Sequence, residues 1–202
     1  RLRSPGLKAE RMLFALALAF ALAAVMSLTM PTIAVPIAGL VLVLMVSWLL
    51  RYDIARTSVQ QTGLPRFVAA CLLTGYAWLT VAGVGWMLGG AHTEGPLYDA
   101  TTHAVFLGFV ITMVMAHAPI ILPAVLGVQI PYKPVLYVPV AWWQLALLVR
   151  VVGGDAWGST DALRVGGAGA AVAMLAFSAT VVTLSMRARR ASAERSPDHV
   201  AA

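Results

Sequence analysis

Cysteine is almost missing from this chain: Cys71 is the only one in 202 residues. That excludes an intrachain disulfide and a Cys-x-x-Cys metal site, and leaves Cys71, near a helix start, as a small apolar filler. Charge is scarce too. Asp, Glu, Lys and Arg make up 11% of the residues, against about 25% in soluble domains. With 60% hydrophobic residues and a mean hydropathy of +0.86, a soluble globular domain is excluded. Also missing are a glycine-rich phosphate loop, a nucleophile elbow and a His-Glu-x-x-His zinc helix, and with them the enzyme classes those motifs mark.

What the chain does have is long apolar runs. They do not alternate as barrel strands would. At about 20 residues per crossing, six fit, over 11–28, 33–50, 67–88, 101–126, 135–152 and 163–186. The expected fold is all-α: one polytopic membrane bundle over 1–186, opened by a short basic segment, 1–10, and followed by a polar, disordered tail, 187–202. The first run resembles the apolar part of a signal peptide. It lacks a small-residue cleavage site, and a second run follows directly after Pro31, so it reads as a helix.

The basic residues report orientation. Twelve of the 14 Lys and Arg fall on the side of the N-terminus, and only Arg150 and Arg164 fall on the other. The positive-inside rule therefore puts both termini in the cytoplasm, in a multi-pass protein of the bacterial cytoplasmic membrane. The net charge of +6 is directed at anionic headgroups of the bilayer rather than at nucleic acid.

Against that apolar background His103 and His117 stand out in the fourth run. Fourteen residues on an α-helix bring them to within about 40° of one face and about 21 Å apart along the axis. An ionisable side chain at membrane depth points to function, and this spacing suits two stacked haems, one towards each leaflet. Each iron needs a second axial ligand. The other histidines are His92, in an outer loop, and His199, in the tail. The second ligand then comes from an identical subunit, from another protein, or from a thioether such as Met113 or Met115, unless the haem is five-coordinate. The other reading is that each imidazole only hydrogen-bonds within the bundle or lines a water-filled path.

Further residues attach to this pair. Arg150, at a depth similar to His103, is placed to pair with a haem propionate or to snorkel to the interface. Tyr76 lies mid-membrane, where its hydroxyl needs a partner: a cofactor, His117 or a backbone carbonyl. Trp142 and Trp143 either line a cofactor or pack. Pro119 and Pro123 free the carbonyls of Met115 and Pro119 beside His117. Gly108 lies opposite the histidines and admits a neighbouring helix. The small residues Gly166, Gly167, Gly169 and Ala170 let helices approach closely, within the chain or across a dimer. His92, Glu94 and Asp99 offer a weak divalent-metal set on the outer loop.

Three of these segments together resemble the C-terminal portion of the NnrS family: Gly75-Tyr76-Ala77-Trp78, then His103-Ala104-Val105-Phe106-Leu107-Gly108, then Leu147-Leu148-Val149-Arg150-Val151-Val152. The similarity covers roughly 66–153. More loosely, Thr102-His103 is similar to the haem-ligand pair on a helix of haem–copper oxidase subunit I. NnrS proteins are haem- and copper-containing bacterial membrane proteins associated with nitric oxide resistance. The resemblance thus implies b-type haem, with copper as a further metal, and carries over position by position to His103, Arg150 and Tyr76; His117 joins the site through the spacing of the two histidines, and with it a second haem. Together these give the expectation of a b-type haem protein acting in respiratory electron transfer or in nitric oxide or oxygen handling, as a homodimer or beside a respiratory partner. The competing expectations are a histidine-lined proton or metal transporter and an accessory subunit of a respiratory complex.

Overall fold

A computed structural model describes residues 6–127 and 130–194. Every regular element among them is helical. Six helical stretches are long and apolar enough to cross a membrane, as a chain must when each backbone polar group in lipid has to find its partner within its own segment.

The first two spans are α1 (Leu7–Met26) and α2 (Pro31–Tyr52). A short helix, α3 (Ala55–Ser58), leads to α4 (Leu64–Gly89), the third span. The fourth, Pro96–Val125, is one continuous stretch. It is built from α5 (Pro96–His103), a π-helical segment (Ala104–Ile111) and α6 (Thr112–Leu126). The fifth, Pro134–Ala156, runs through a 3-10 turn, α7 (Tyr137–Leu148) and a second π-helical segment, Val149–Ala156. The sixth is α8 (Thr160–Glu194).

Start signals differ from the expected boundaries in one consequential place. Gly95, at φ +90°, turns the chain straight into Pro96, and proline is well suited to a first helical turn. The fourth span therefore opens five residues before the expected 101, and Asp99 belongs to its first turn instead of to the outer loop. At the other end, α8 continues past the expected 186 to Glu194. Arg187, Ala188, Arg189, Arg190 and Ala191 are good helix formers. The rest of the expected disordered tail, with His199, lies outside the described residues.

The spans pack in chain order, α1 on α2, α2 on α4, α4 on the fourth span, and α7 on α8. Trp48 of α2 donates its indole N–H to the Ala9 carbonyl at 3.0 Å and ties α1 to the bundle. One core cluster, around Phe67, Met115, Leu136 and Phe177, joins the third to sixth spans. A second, around Val46, Tyr76, Ala104 and Leu147, joins the second to fifth. The glycines of α8 serve contacts within the chain. A Cβ on Gly166 would stand 2.6 Å from the Cβ of Arg150, so no larger residue fits between the fifth and sixth spans there. Gly108 does what its position suggests: a Cβ on it would meet Trp78 of α4 at 2.3 Å.

Candidate functional site

The π-helical segment between the two histidines changes their relation. A π-bulge adds a residue that does not advance the α-helical register, so the angle between them grows by about 100°, from about 40° to about 140°. The expected common face does not form. His117 lines a groove between the fourth span and α8, whereas His103 belongs to a charged cluster facing the fifth span.

Both rings are nonetheless held alike. The carbonyl of Asp99, four residues earlier, lies 2.7 Å from Nδ1 of His103, and that of Met113 lies 2.8 Å from Nδ1 of His117. A carbonyl only accepts, so the proton in each contact sits on Nδ1, and in the neutral ring Nε2 keeps its lone pair. Among the described residues neither Nε2 has a hydrogen-bond partner. This is the arrangement found in metal-ligating histidines, where an anchored N–H fixes the tautomer and aims the other nitrogen.

Around His103 the neighbours are ionic. Asp99 places Oδ1 3.3 Å from Nδ1 of His103 and accepts from Arg150 Nη2 at 2.7 Å. The guanidinium expected to hold a propionate is thus engaged by a carboxylate, and its Nη1 reaches the Leu163 carbonyl at 3.4 Å. Asp155 completes the cluster, within electrostatic reach of Asp99, Arg150 and His103. Two buried atoms in it, Arg150 Nε and Asp155 Oδ2, have no partner among the described residues.

Around His117 the neighbours are apolar. The groove has a volume of about 600 Å³ and is walled by Phe109, Val110, Met113 and Val114 on one side and by Met174, Phe177 and Val181 on the other. Its only other polar side chain is Ser178, whose hydroxyl is committed to the Met174 carbonyl at 3.0 Å. Met115, named with Met113 as a thioether ligand, is fully buried in the core and lines nothing. Met174 is the residue that sequence reasoning missed, because only the fold brings α8 to His117.

Tyr76 reaches neither histidine. Its hydroxyl donates to Asp53 Oδ2 at 2.9 Å, and the other oxygen of that carboxylate accepts the Ala55 N–H at 2.7 Å. Trp143 is a packing residue whose N–H bonds the Leu107 carbonyl at 3.1 Å, inside the first π-helical segment. Gln144 links Trp78 (2.7 Å) to Thr112 (2.9 Å) across three spans. In the outer loop His92 bonds the Gly89 carbonyl. No three His, Cys, Asp or Glu side chains converge on a metal position among the described residues.

No curated protein and no solved structure matches the chain. A family model described as "Domain of unknown function (DUF8744)" matches residues 1–186, the first five spans and most of the sixth, and the protein belongs to that family.

Proposed function

We propose that this is a b-type haem protein of the bacterial cytoplasmic membrane, with one haem in the groove between the fourth span and α8. It would act in respiratory electron transfer or in handling nitric oxide or oxygen. The observation that carries the reading is His117: an imidazole with its N–H anchored and its lone pair uncommitted, on the wall of a large apolar groove. Burying an unpaired polar group in hydrocarbon is costly, and iron coordination removes that cost. The groove also suits the porphyrin plane: its walls are aliphatic and aromatic, and its volume of about 600 Å³ lies within the range of small-molecule sites, about 300–1,000 Å³. No Lys or Arg lines it, so the propionates would extend beyond its walls.

The roles of the residues follow from position. His117 would hold the iron, with the Met113 carbonyl fixing the angle of its ring. Met174, on the α8 wall of the groove, would be the candidate for a second protein ligand rather than Met113, which is one turn from His117 on the same helix. The redox or gas chemistry is the iron's; the chain supplies ligands, burial and the exclusion of water.

Spectra of oxidised and dithionite-reduced protein, expressed with ample haem, test this. The wild type and His103→Ala should show a Soret band that His117→Ala weakens. A colourless wild type overturns the proposal, and loss of the band only in His103→Ala moves the ligand to the other histidine.

A second reading rests on the charged cluster. Two carboxylates, Asp99 and Asp155, face one guanidinium, so the cluster has one negative charge in excess that a bound proton would balance, as in a proton-transfer path. It predicts proton flux into proteoliposomes that Asp155→Asn abolishes, with no visible chromophore.

A further inference from the structure

The second large cavity of the molecule has a different character from the groove. It lies between α1, α2, the end of α4 and the start of α5, with a volume of about 340 Å³. That is near the lower end of small-molecule sites and suits a single ring system, not a macrocycle. No Asp, Glu, Lys or Arg lines it, and the one imidazole on its wall, His92, is engaged with the Gly89 carbonyl at 2.7 Å, so an ion or a phosphate would find no fixed countercharge there. Phe20 and Trp86 contribute aromatic walls, and Thr93, Tyr98 and Thr102 contribute hydroxyls. None of those three hydroxyls has a hydrogen-bond partner among the described residues, although Thr102 is partly buried and threonine hydroxyls in helices ordinarily bond back to a carbonyl, as Thr101 does to Leu97 at 2.9 Å.

We infer that this cavity binds a neutral, flat molecule with hydrogen-bond-accepting oxygens, of the quinone class. The aromatic walls suit a planar ring, the uncommitted hydroxyls can donate to its carbonyl oxygens, and a lining without Asp, Glu, Lys or Arg favours a neutral ligand. Its position among membrane-spanning helices gives an isoprenoid-tailed ligand access from the lipid. Thr102 adjoins His103, so a bound ring lies close to the charged cluster. The inference concerns binding alone and stands whether or not the groove holds haem.

The test is titration of the full chain in nanodiscs with decylubiquinone, followed by tryptophan fluorescence and corrected with free N-acetyltryptophanamide. Trp86 reports from the cavity wall. The wild type should quench saturably. Ala24→Leu, which fills the cavity from an exposed position on α1, should abolish the saturable component. Thr102→Val, which keeps the shape and removes the hydroxyl, should weaken binding about fivefold, the equivalent of one hydrogen bond. His117→Ala should leave the saturable component and its midpoint unchanged, whatever it does to the starting fluorescence, which separates this outcome from that of the haem test. Linear, partition-like quenching in the wild type overturns the inference, as does saturable quenching that Ala24→Leu leaves intact. If Ala24→Leu weakens binding but Thr93→Val, Tyr98→Phe and Thr102→Val all leave it unchanged, the cavity holds a lipid acyl chain and the quinone assignment fails.

Discussion

The surroundings of His103 and His117 differ although their local geometry is the same. In each case a carbonyl four residues earlier fixes the ring and leaves Nε2 open. Around one ring stand Asp99, Arg150 and Asp155; around the other stand methionine, phenylalanine and valine. Helix geometry therefore sets the tautomer, and tertiary placement decides what the lone pair is for. Among charges an imidazole shares protons and ion pairs. In an apolar groove its nitrogen faces no protein competitor among the described residues, and on the proposed function a metal would satisfy it.

The largest expected effect tests that division directly. His117→Ala should lower haem occupancy by on the order of tenfold or more, since even weaker perturbations outside the ligand set cost 10–100-fold at metal sites. His103→Ala should leave it within error. Pyridine haemochrome quantification after purification reads both. Equal losses in the two variants would erase the distinction between the regions.

A second test attacks its cause. Phe106 lies in the first π-helical segment with 57% of its surface exposed, so its side chain contributes little packing. Deleting it should return the segment to α-helical register and turn Asp99 and His103 by about 100° relative to α6. The Asp99–Arg150 pair would break, leaving a partly buried guanidinium facing Asp155 alone. We expect a loss of about 3 kcal/mol, near the low end for breaking buried pairs, read from thermal unfolding in detergent. Haem bound through His117 should persist. Unchanged stability would show that the π-helical segment does not set the cluster.

Asp99→Asn is a milder version. The fold keeps its register, Asp155 still faces Arg150, and Asp99 is itself 37% exposed. The charge-assisted hydrogen bond is what goes, worth about 1.5–3 kcal/mol at most. A drop in the Soret band here would tie the cluster to the groove and contradict their separate roles.

The difference between the two regions was only partly legible in the sequence. Hydropathy alone placed all six spans, because a run of about 20 apolar residues has few other uses. The two histidines were conspicuous for the same reason. Their divergence was not, since Ala104–Ile111 is an ordinary apolar stretch whose π-helical register depends on tertiary contacts such as Trp143 with the Leu107 carbonyl. Arg150 stands out in the sequence as a candidate, but its partner, 51 residues away, reads there as part of a loop. Tyr76 was noticed as needing a partner, and Asp53, beyond the end of α2, fills that need through the fold of 53–63. Uncommitted single residues were visible; the pairings that commit them arise from packing between spans.

The smallest effect concerns the polar link between the regions. Gln144 accepts from Trp78 and donates to Thr112, midway along the bundle. In Gln144→Leu both partners lose a hydrogen bond, but hydrogen bonds between membrane helices average only about 0.6 kcal/mol, with a maximum near 1.7. Thr112 also retains its contact with the Leu107 carbonyl at 3.5 Å. We expect a loss of about 1 kcal/mol in denaturation by sodium dodecyl sulfate, with no change in haem or quinone binding. A larger loss, accompanied by weaker haem binding, would mean that Gln144 and Thr112 hold α6 at the angle that aims His117, and the two regions would then be one coupled site.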